Sequence, residues 1–346
     1  MSATVTSSID FTAIGKFSGY LQIGDSTNTS GWATFHLPIH SINSESGPKV
    51  LVVGGNHGDE YEGQFAIANL LRELQVEDIS GALIAIPSIS IPASYASTRL
   101  WPDGTNFNRA FPGEENGSIP QKIAHFFATE LLPWADVVID IHSGGRGLIF
   151  LESATVVLSE DPSYRKVLLE NLDNWQTEYS LIFPSQPGTD ETTLLPGFAA
   201  TLKKSLYTGE FGGGAVTTAR SNRITRAALA SALVKTSLLK ADWLKGKSDY
   251  HQQIGERKFI DLRGADSYHW ASDQGIYQNL KKLGEEVKAG ELIGLIHHPE
   301  SAERKAERIY AHTSGLVAMI RGYSRVNTGD IVALIGPAYS TISEIG

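Results

Sequence analysis

The chain contains no cysteine, which excludes disulfides and restricts any zinc site to histidine and carboxylate ligands. It also lacks an excess of positive charge. Lys and Arg number 29 against 38 Asp and Glu, for a formal net charge of −9, so the basic patch of a nucleic-acid binder is not expected. No apolar run approaches the roughly 18 residues that suggest a membrane span. There is no internal repeat or low-complexity tract, and no G-x-S-x-G elbow for a serine hydrolase. The opening residues, MSATVTSSIDFTAIG, have no basic region followed by an apolar core and do not read as a signal peptide. The expectation is a cytoplasmic protein with no nucleic-acid and no membrane partner; a homo-oligomer is compatible with it.

What is present is a globular balance, 41% hydrophobic and 19% charged over 346 residues, enough for a large core and a second domain. Residues 17–42 read as short strands, FSGYLQI and GWATFHLPI, separated by the turn-rich GDSTNTSG. KVLVVGG, GALIAIPSI and ADVVIDIH are apolar runs of strand length. Helical spacing follows in EYEGQFAIANLLREL, in 118–132 behind a Ser118 cap, near 161–176 and at 223–245. LIFPS and SLYTGEFGG are further strands, and 88–118 reads as a long loop. Strands alternating with helices predict an α/β fold, with a mostly parallel central sheet and helices on both faces. After about residue 250 the helical periodicity gives way to GELIGLIHH, GLVAMIRG and DIVALIG between glycine turns. The expected division is therefore a catalytic α/β domain over 1–250, opening with N-terminal strands over 1–45, and a small C-terminal all-β domain over 251–346.

Ligands of open α/β sheets bind beyond the carboxyl ends of strands. His57 lies just past one apolar strand, His142 ends another, and Glu210 follows a third. Catalytic zinc commonly takes two histidines and one carboxylate and leaves a position for water. His57, Glu60 and His142 fill that set with one Zn2+, and Glu210 is the candidate to move the water proton. Asp140, two residues before His142, is placed either to orient a ligand or to serve the sheet. In the long loop, Arg99 and Arg109 can grip carboxylates with paired hydrogen bonds, a cation beside a metal can stabilise an oxyanion, and Asn108 offers both donor and acceptor. The expected substrate combines a carboxylate with an amide. The stretch GGNHGDEYEG at 54–63 fits neither G-x-G-x-x-G nor G-x-x-x-x-G-K-[ST], so it is not read as a phosphate loop.

GGNHGDEYEG, NFNRAFPG, DIHSGG and GEFGGG, in this order, resemble the succinylglutamate desuccinylase/aspartoacylase family of zinc carboxypeptidase-like deacylases. The resemblance spans about residues 45–345. It implies a carboxypeptidase-like α/β fold holding one zinc on His57, Glu60 and His142, with Glu210 as general base and acid. It further implies that Arg99 polarises the scissile carbonyl while Asn108 and Arg109 hold a substrate carboxylate. The Arg99 match is the looser one, because its spacing to Asn108 differs slightly from aspartoacylase. Asn106 stands where the family usually has aspartate. GEFGGG and HSGGR look closer to the subgroup that includes N-acetyl-diaminobutyrate deacetylase, and Arg146 after the HSGG turn is a candidate for a further carboxylate contact.

Plainer readings remain beside these. His142 and Glu210 can be residues of a strand end and a turn, and Arg99, Arg109 and Arg146 can simply tie down loops. His297 and His298 read as an exposed turn without a metal role. Tyr268, His269 and Trp270 are near enough to a site in principle, but the local sequence assigns them nothing. Three functions compete: an N-deacylase acting on a small N-acylated amino acid, a zinc carboxypeptidase acting on peptides, and a non-catalytic ligand-binding protein. The β-domain implied by the resemblance narrows the cleft against peptides. GLVAMIRGYSRVNTGD has no lysine for a covalent carrier.

Overall fold

The computed structural model describes residues 4–185, 188–251 and 254–345. Along the chain, β1 (Val5–Ser7) is followed by the hairpin of β2 (Gly15–Thr27) and β3 (Ser30–Asn43), then β4 (Lys49–Gly54), α1 (Tyr61–Glu73) and β5 (Ala82–Ile86). A short helix α2 (Ile91–Ala96) interrupts the long loop, and α3 (Ile119–Phe126) runs through a π turn into α4 (Leu132–Trp134) ahead of β6 (Val137–His142). Next come β7 (Leu148–Phe150), β8 (Ser153–Val157), α5 (Pro162–Asn174) and β9 (Tyr179–Phe183). The α6 helix (Leu195–Thr201), β10 (Ser205–Glu210), α7 (Ala219–Lys235) and β11 (Lys258–Asp261) complete the large layer.

One sheet carries the order β1-β2-β3-β5-β4-β6-β10-β8-β9-β11, with Ala338–Tyr339 as its last strand. Its centre is parallel, as expected: β5, β4, β6 and β10 are parallel neighbours. The flank of β1, β2 and β3 is antiparallel, and β8 runs against β10. Alternation along the buried strands divides the core between two faces. Val50, Val52, Ile139 and Ile141 meet Ile67 and Leu70 of α1, Leu168 of α5 and Ala228 of α7. Leu51, Val53 and Val138 meet Ile123 of α3, Phe127, Leu131 and Leu195 of α6. The helices on both faces therefore leave the carboxyl ends of β4, β6 and β10 as the shared edge where the candidate residues emerge.

The hairpin is longer than its composition suggests. GDSTNTSG belongs mostly to the strands, and only Asn28 and Thr29 make the turn between Thr27 and Ser30. Its polar side chains are exposed on a two-stranded ribbon, where turn-forming residues are tolerated because no core selects against them. Strand β8 and helix α6 were not visible in the sequence. SATVV is short, and LPGFAAT resembles a turn although its proline sits at the first helical turn, where the missing N–H costs nothing. Past Tyr268 two antiparallel sheets pack around Tyr277, Ile296, Val317 and Ile335. Strands β11 and Ala338–Tyr339, also within 251–346, join the edge of the large sheet instead.

Helix α1 lies unusually close to the sheet. A Cβ on Gly63 would sit 2.8 Å from the carbonyl oxygen of Ile141, the residue before His142. Gly63→Ala must push α1 outward, and is expected to cost about 1–3 kcal/mol. Urea denaturation checks this; an unchanged midpoint would show that the helix has room to spare.

Candidate metal centre

His57 and Glu60 occupy the turn between β4 and α1, and His142 is the last residue of β6. The turn begins at Gly55, whose φ of +58° favours a residue without a side chain. The register of β4 on β6 sets Val53 beside Asp140 and Gly54 beside Ile141, which brings the turn against His142. His57 Nδ1 lies 2.7 Å from Glu60 Oε1, and His142 Nδ1 lies 2.8 Å from Glu60 Oε2. All three residues are buried, and their ligand atoms fall within 4.8 Å of one another. The outer ring nitrogens are also held. His142 Nε2 is 2.8 Å from Asp140 Oδ2, and His57 Nε2 is 3.1 Å from Asn106 Oδ1.

Electrostatics favour a cation here. Burial works to raise the Glu60 carboxyl, but the charges and hydrogen bonds of the two histidines outweigh it and hold the group well below its usual range. Burial, helped by the charge of Arg99, lowers His57. His142 goes the other way: burial opposes its charge, yet Asp140 and Glu60 together raise it well above its usual value. The carboxylates of Asp140 and Glu60 thus outweigh burial at His142. Two imidazole nitrogens and a carboxylate converging in a buried, anion-rich pocket match the His, His, Glu set that zinc takes in catalytic sites.

Glu210 ends β10 directly opposite His142 in the parallel ladder. The residue is partly buried, and its Oε2 is shielded from solvent without a hydrogen-bond partner. Burial, and then the charge of Glu60, push its carboxyl up to about 8. Arg99 reaches the triad, donating from Nη1 to Glu60 Oε1 at 3.1 Å while its side chain stays 48% exposed. Arg109 lies close enough for the charge of Arg99 to act on it, second to burial, in lowering its pKa. Its Nη1 donates to the Asn108 carbonyl. Asn108 is buried, and its Oδ1 accepts the Leu195 N–H at 2.9 Å, which ties the loop to the start of α6. Arg146 is fixed through its backbone N–H to Asp59 Oδ2 at 2.7 Å, while its guanidinium donates to the Ser97 carbonyl.

The structure adds residues that the sequence reading did not assign. Asn56 donates to Asp140 Oδ2, and Asp59 anchors the turn after His142. Both lie within the GGNHGDE stretch, so proximity to the ligands was their only signal. The turn read for His297 and His298 is corrected in part. His297 ends a strand and bonds Gln278, whereas His298 is buried, packed near Asp273 and Glu307. Neighbouring strand ends wrap around it, which local sequence does not reveal. Arg304 spans Asp273 and Glu307 and already supplies that cluster with a cation. Tyr268 stacks on Trp270.

Glu62 is a buried acid on α1, beside Ser143, Ser221 and Gly212, with Oε1 unpartnered. Burial pushes its carboxyl up to about 7 from 4.5. The folded state thus binds the proton more tightly than the unfolded chain. The stability this confers is complete below about pH 4.5 and is lost as pH rises through 7. Glu62→Gln carries no titrating proton, so its stability relative to the native chain should rise between pH 5 and pH 8, by about 3 kcal/mol at most. Urea titrations at four pH values measure it; a pH-independent difference would contradict the expectation.

Comparison with known proteins agrees with this geometry. A family model described as the succinylglutamate desuccinylase/aspartoacylase catalytic domain matches residues 46–235. The N-alpha-acetyl-L-2,4-diaminobutyric acid deacetylase of Halomonas elongata is 30% identical over 339 residues, covering 98% of this chain and 96% of that one. The product-bound ectoine utilization protein EutE of Ruegeria pomeroyi superposes with a TM-score of 0.89 at 29% identity, over 97% of this chain and 100% of that one. A succinylglutamate desuccinylase from Silicibacter sp. gives 0.90 at 30% identity, over 98% and 100%. With more than half its length matched by the family model and nearly all of it by a 30% identical relative, the chain belongs to the succinylglutamate desuccinylase/aspartoacylase family.

Proposed function

We propose that the protein is a zinc-dependent N-deacylase that hydrolyses the amide of a small N-acylated amino acid. The observation carrying this reading is the buried meeting of His57 Nδ1, His142 Nδ1 and both oxygens of Glu60, with Glu210 opposite His142. A zinc ion held by His57, Glu60 and His142 would supply a Lewis acid for the acyl carbonyl and make water more acidic. The protein's own groups do the rest. Glu210 takes the proton of the attacking water and delivers it to the leaving nitrogen as the C–N bond breaks, giving a carboxylic acid and an amine. Its raised pKa suits the exchange, since a carboxylate more basic than usual takes a proton from water more readily and keeps it until the leaving nitrogen accepts it. Arg99, within reach of Glu60, stabilises the negative charge that develops on the carbonyl oxygen. Asn108, Arg109 and Arg146 hold the substrate carboxylate, the arginines through paired hydrogen bonds. No helix among the described residues is long and apolar enough to cross a membrane.

The names of the relatives make N-acetyl-2,4-diaminobutyrate the first substrate to test and N-succinylglutamate the second. Purified protein should release acetate or succinate from an N-acyl amino acid panel and leave dipeptides intact; cleavage confined to peptides would overturn the assignment. Glu210→Gln should keep the native zinc content but lose about two or more orders of magnitude in kcat. His57→Ala should lose the metal. Native turnover in the first variant, or native zinc in the second, would remove that residue from its role.

A further inference from the structure

The two histidines of the triad are oriented alike but supported differently. Each turns Nδ1 towards Glu60 and offers Nε2 to an outer oxygen. Both outer oxygens can only accept, so both Nε2 atoms donate; with a metal in place of the Nδ1 proton that each ring shares with Glu60, Nδ1 of the neutral ring would be the lone pair offered to it. On His142 the acceptor is the fully buried carboxylate of Asp140 at 2.8 Å; on His57 it is the amide oxygen of Asn106 at 3.1 Å. A carboxylate draws the N–H proton towards itself and raises the basicity of the far nitrogen, whereas a neutral amide does so far less. Three carboxylates, Glu60, Asp140 and Glu210, already meet at these strand ends. A fourth would further reduce the net positive charge left on a bound ion.

We infer that Asn106 is a positioning residue that sets the strength of metal binding at this centre, its neutral amide making His57 the weaker ligand and the Asp140-backed His142 the stronger. The inference rests on the reading of His57, Glu60 and His142 as the metal site. Asn106 also begins the short helical turn Phe107–Arg109, as its N-terminal cap position. One side chain therefore couples a metal ligand to the loop that carries Asn108 and Arg109.

The test is zinc affinity, measured by chelator competition on metal-free protein without substrate. Asn106→Asp keeps the shape and adds the charge, and should tighten zinc about 10-fold. Asn106→Ala removes the support and should weaken it about 10-fold, and Asp140→Asn should weaken it by at least as much. A purely structural role for Asn106 would leave the aspartate variant at or below native affinity, and that result overturns the inference, as does native affinity in the alanine variant. Urea midpoints of the metal-free proteins show that each variant folds. His57→Ala, run in the same titration, separates the two possible failures. Zinc lost in that variant but unmoved by Asn106 substitution refutes the inference alone; zinc retained refutes the metal-site reading beneath it.

Discussion

A carboxylate removed from water must have its oxygens met, because an unpaired buried charge costs far more than a fold of this size can spare. Glu60 is such a group. Its Oε1 receives His57 and Arg99, and its Oε2 receives His142 and the backbone N–H of Ser143. These partners come from the β4–α1 turn, the end of β6 and the long loop after β5. The pairing of β4 with β6 has to hold its register for the contacts to close. Helix α1 has to approach until Gly63 touches the Ile141 carbonyl, with no side chain between them. The glycines around the site are therefore part of its electrostatics, since they let backbone come near enough to satisfy one charge.

Much of this centre was legible in the sequence, for a physical reason. Buried parallel strands are continuous apolar runs, so their ends are easy to find, and ligands of such sheets gather at the carboxyl ends. The sequence places His57, His142 and Glu210 together on that ground. The parallel centre of the sheet was readable in the same way. Residues that act through neighbours were not. Asp59 and Asn56 bond to groups 87 and 84 positions away, and nothing local distinguishes them from turn residues. His298 looked exposed because the residues covering it come from other strands. The β2–β3 ribbon was shortened in the reading because Asp, Ser and Thr usually mark turns, although at an exposed ribbon they are equally acceptable in strands.

Asn108 illustrates how position and role come apart. Its Oδ1 is already engaged by the Leu195 N–H, so that oxygen braces α6 against the loop. The amide nitrogen is a donor, which is what the proposed contact to a substrate carboxylate requires. Bracing one end of the amide fixes the direction of the other. The same economy holds at Arg146, whose backbone is pinned while its side chain spans to Ser97.

The pinning of Arg146 gives the C-terminal strands a part in the site. Strand β7, only a few residues after His142, leaves the large sheet and pairs with Gly315–Arg321. Gly322 donates its N–H to the Gly147 carbonyl, and a Cβ there would lie 2.5 Å from the Arg146 carbonyl oxygen. The turn that follows His142 is thus held from one side by Asp59 and from the other by Gly322. The turn after Glu210 meets the same segment, with the Gly144 and Phe150 N–H groups both donating to the Gly212 carbonyl. The loops after β6 and β10 are consequently locked to each other and to a sheet formed by the last quarter of the chain. A loop clamped at so many backbone points has little freedom to fray, and the geometry of His142 and Glu210 depends on that clamp as much as on the parallel strands from which they emerge.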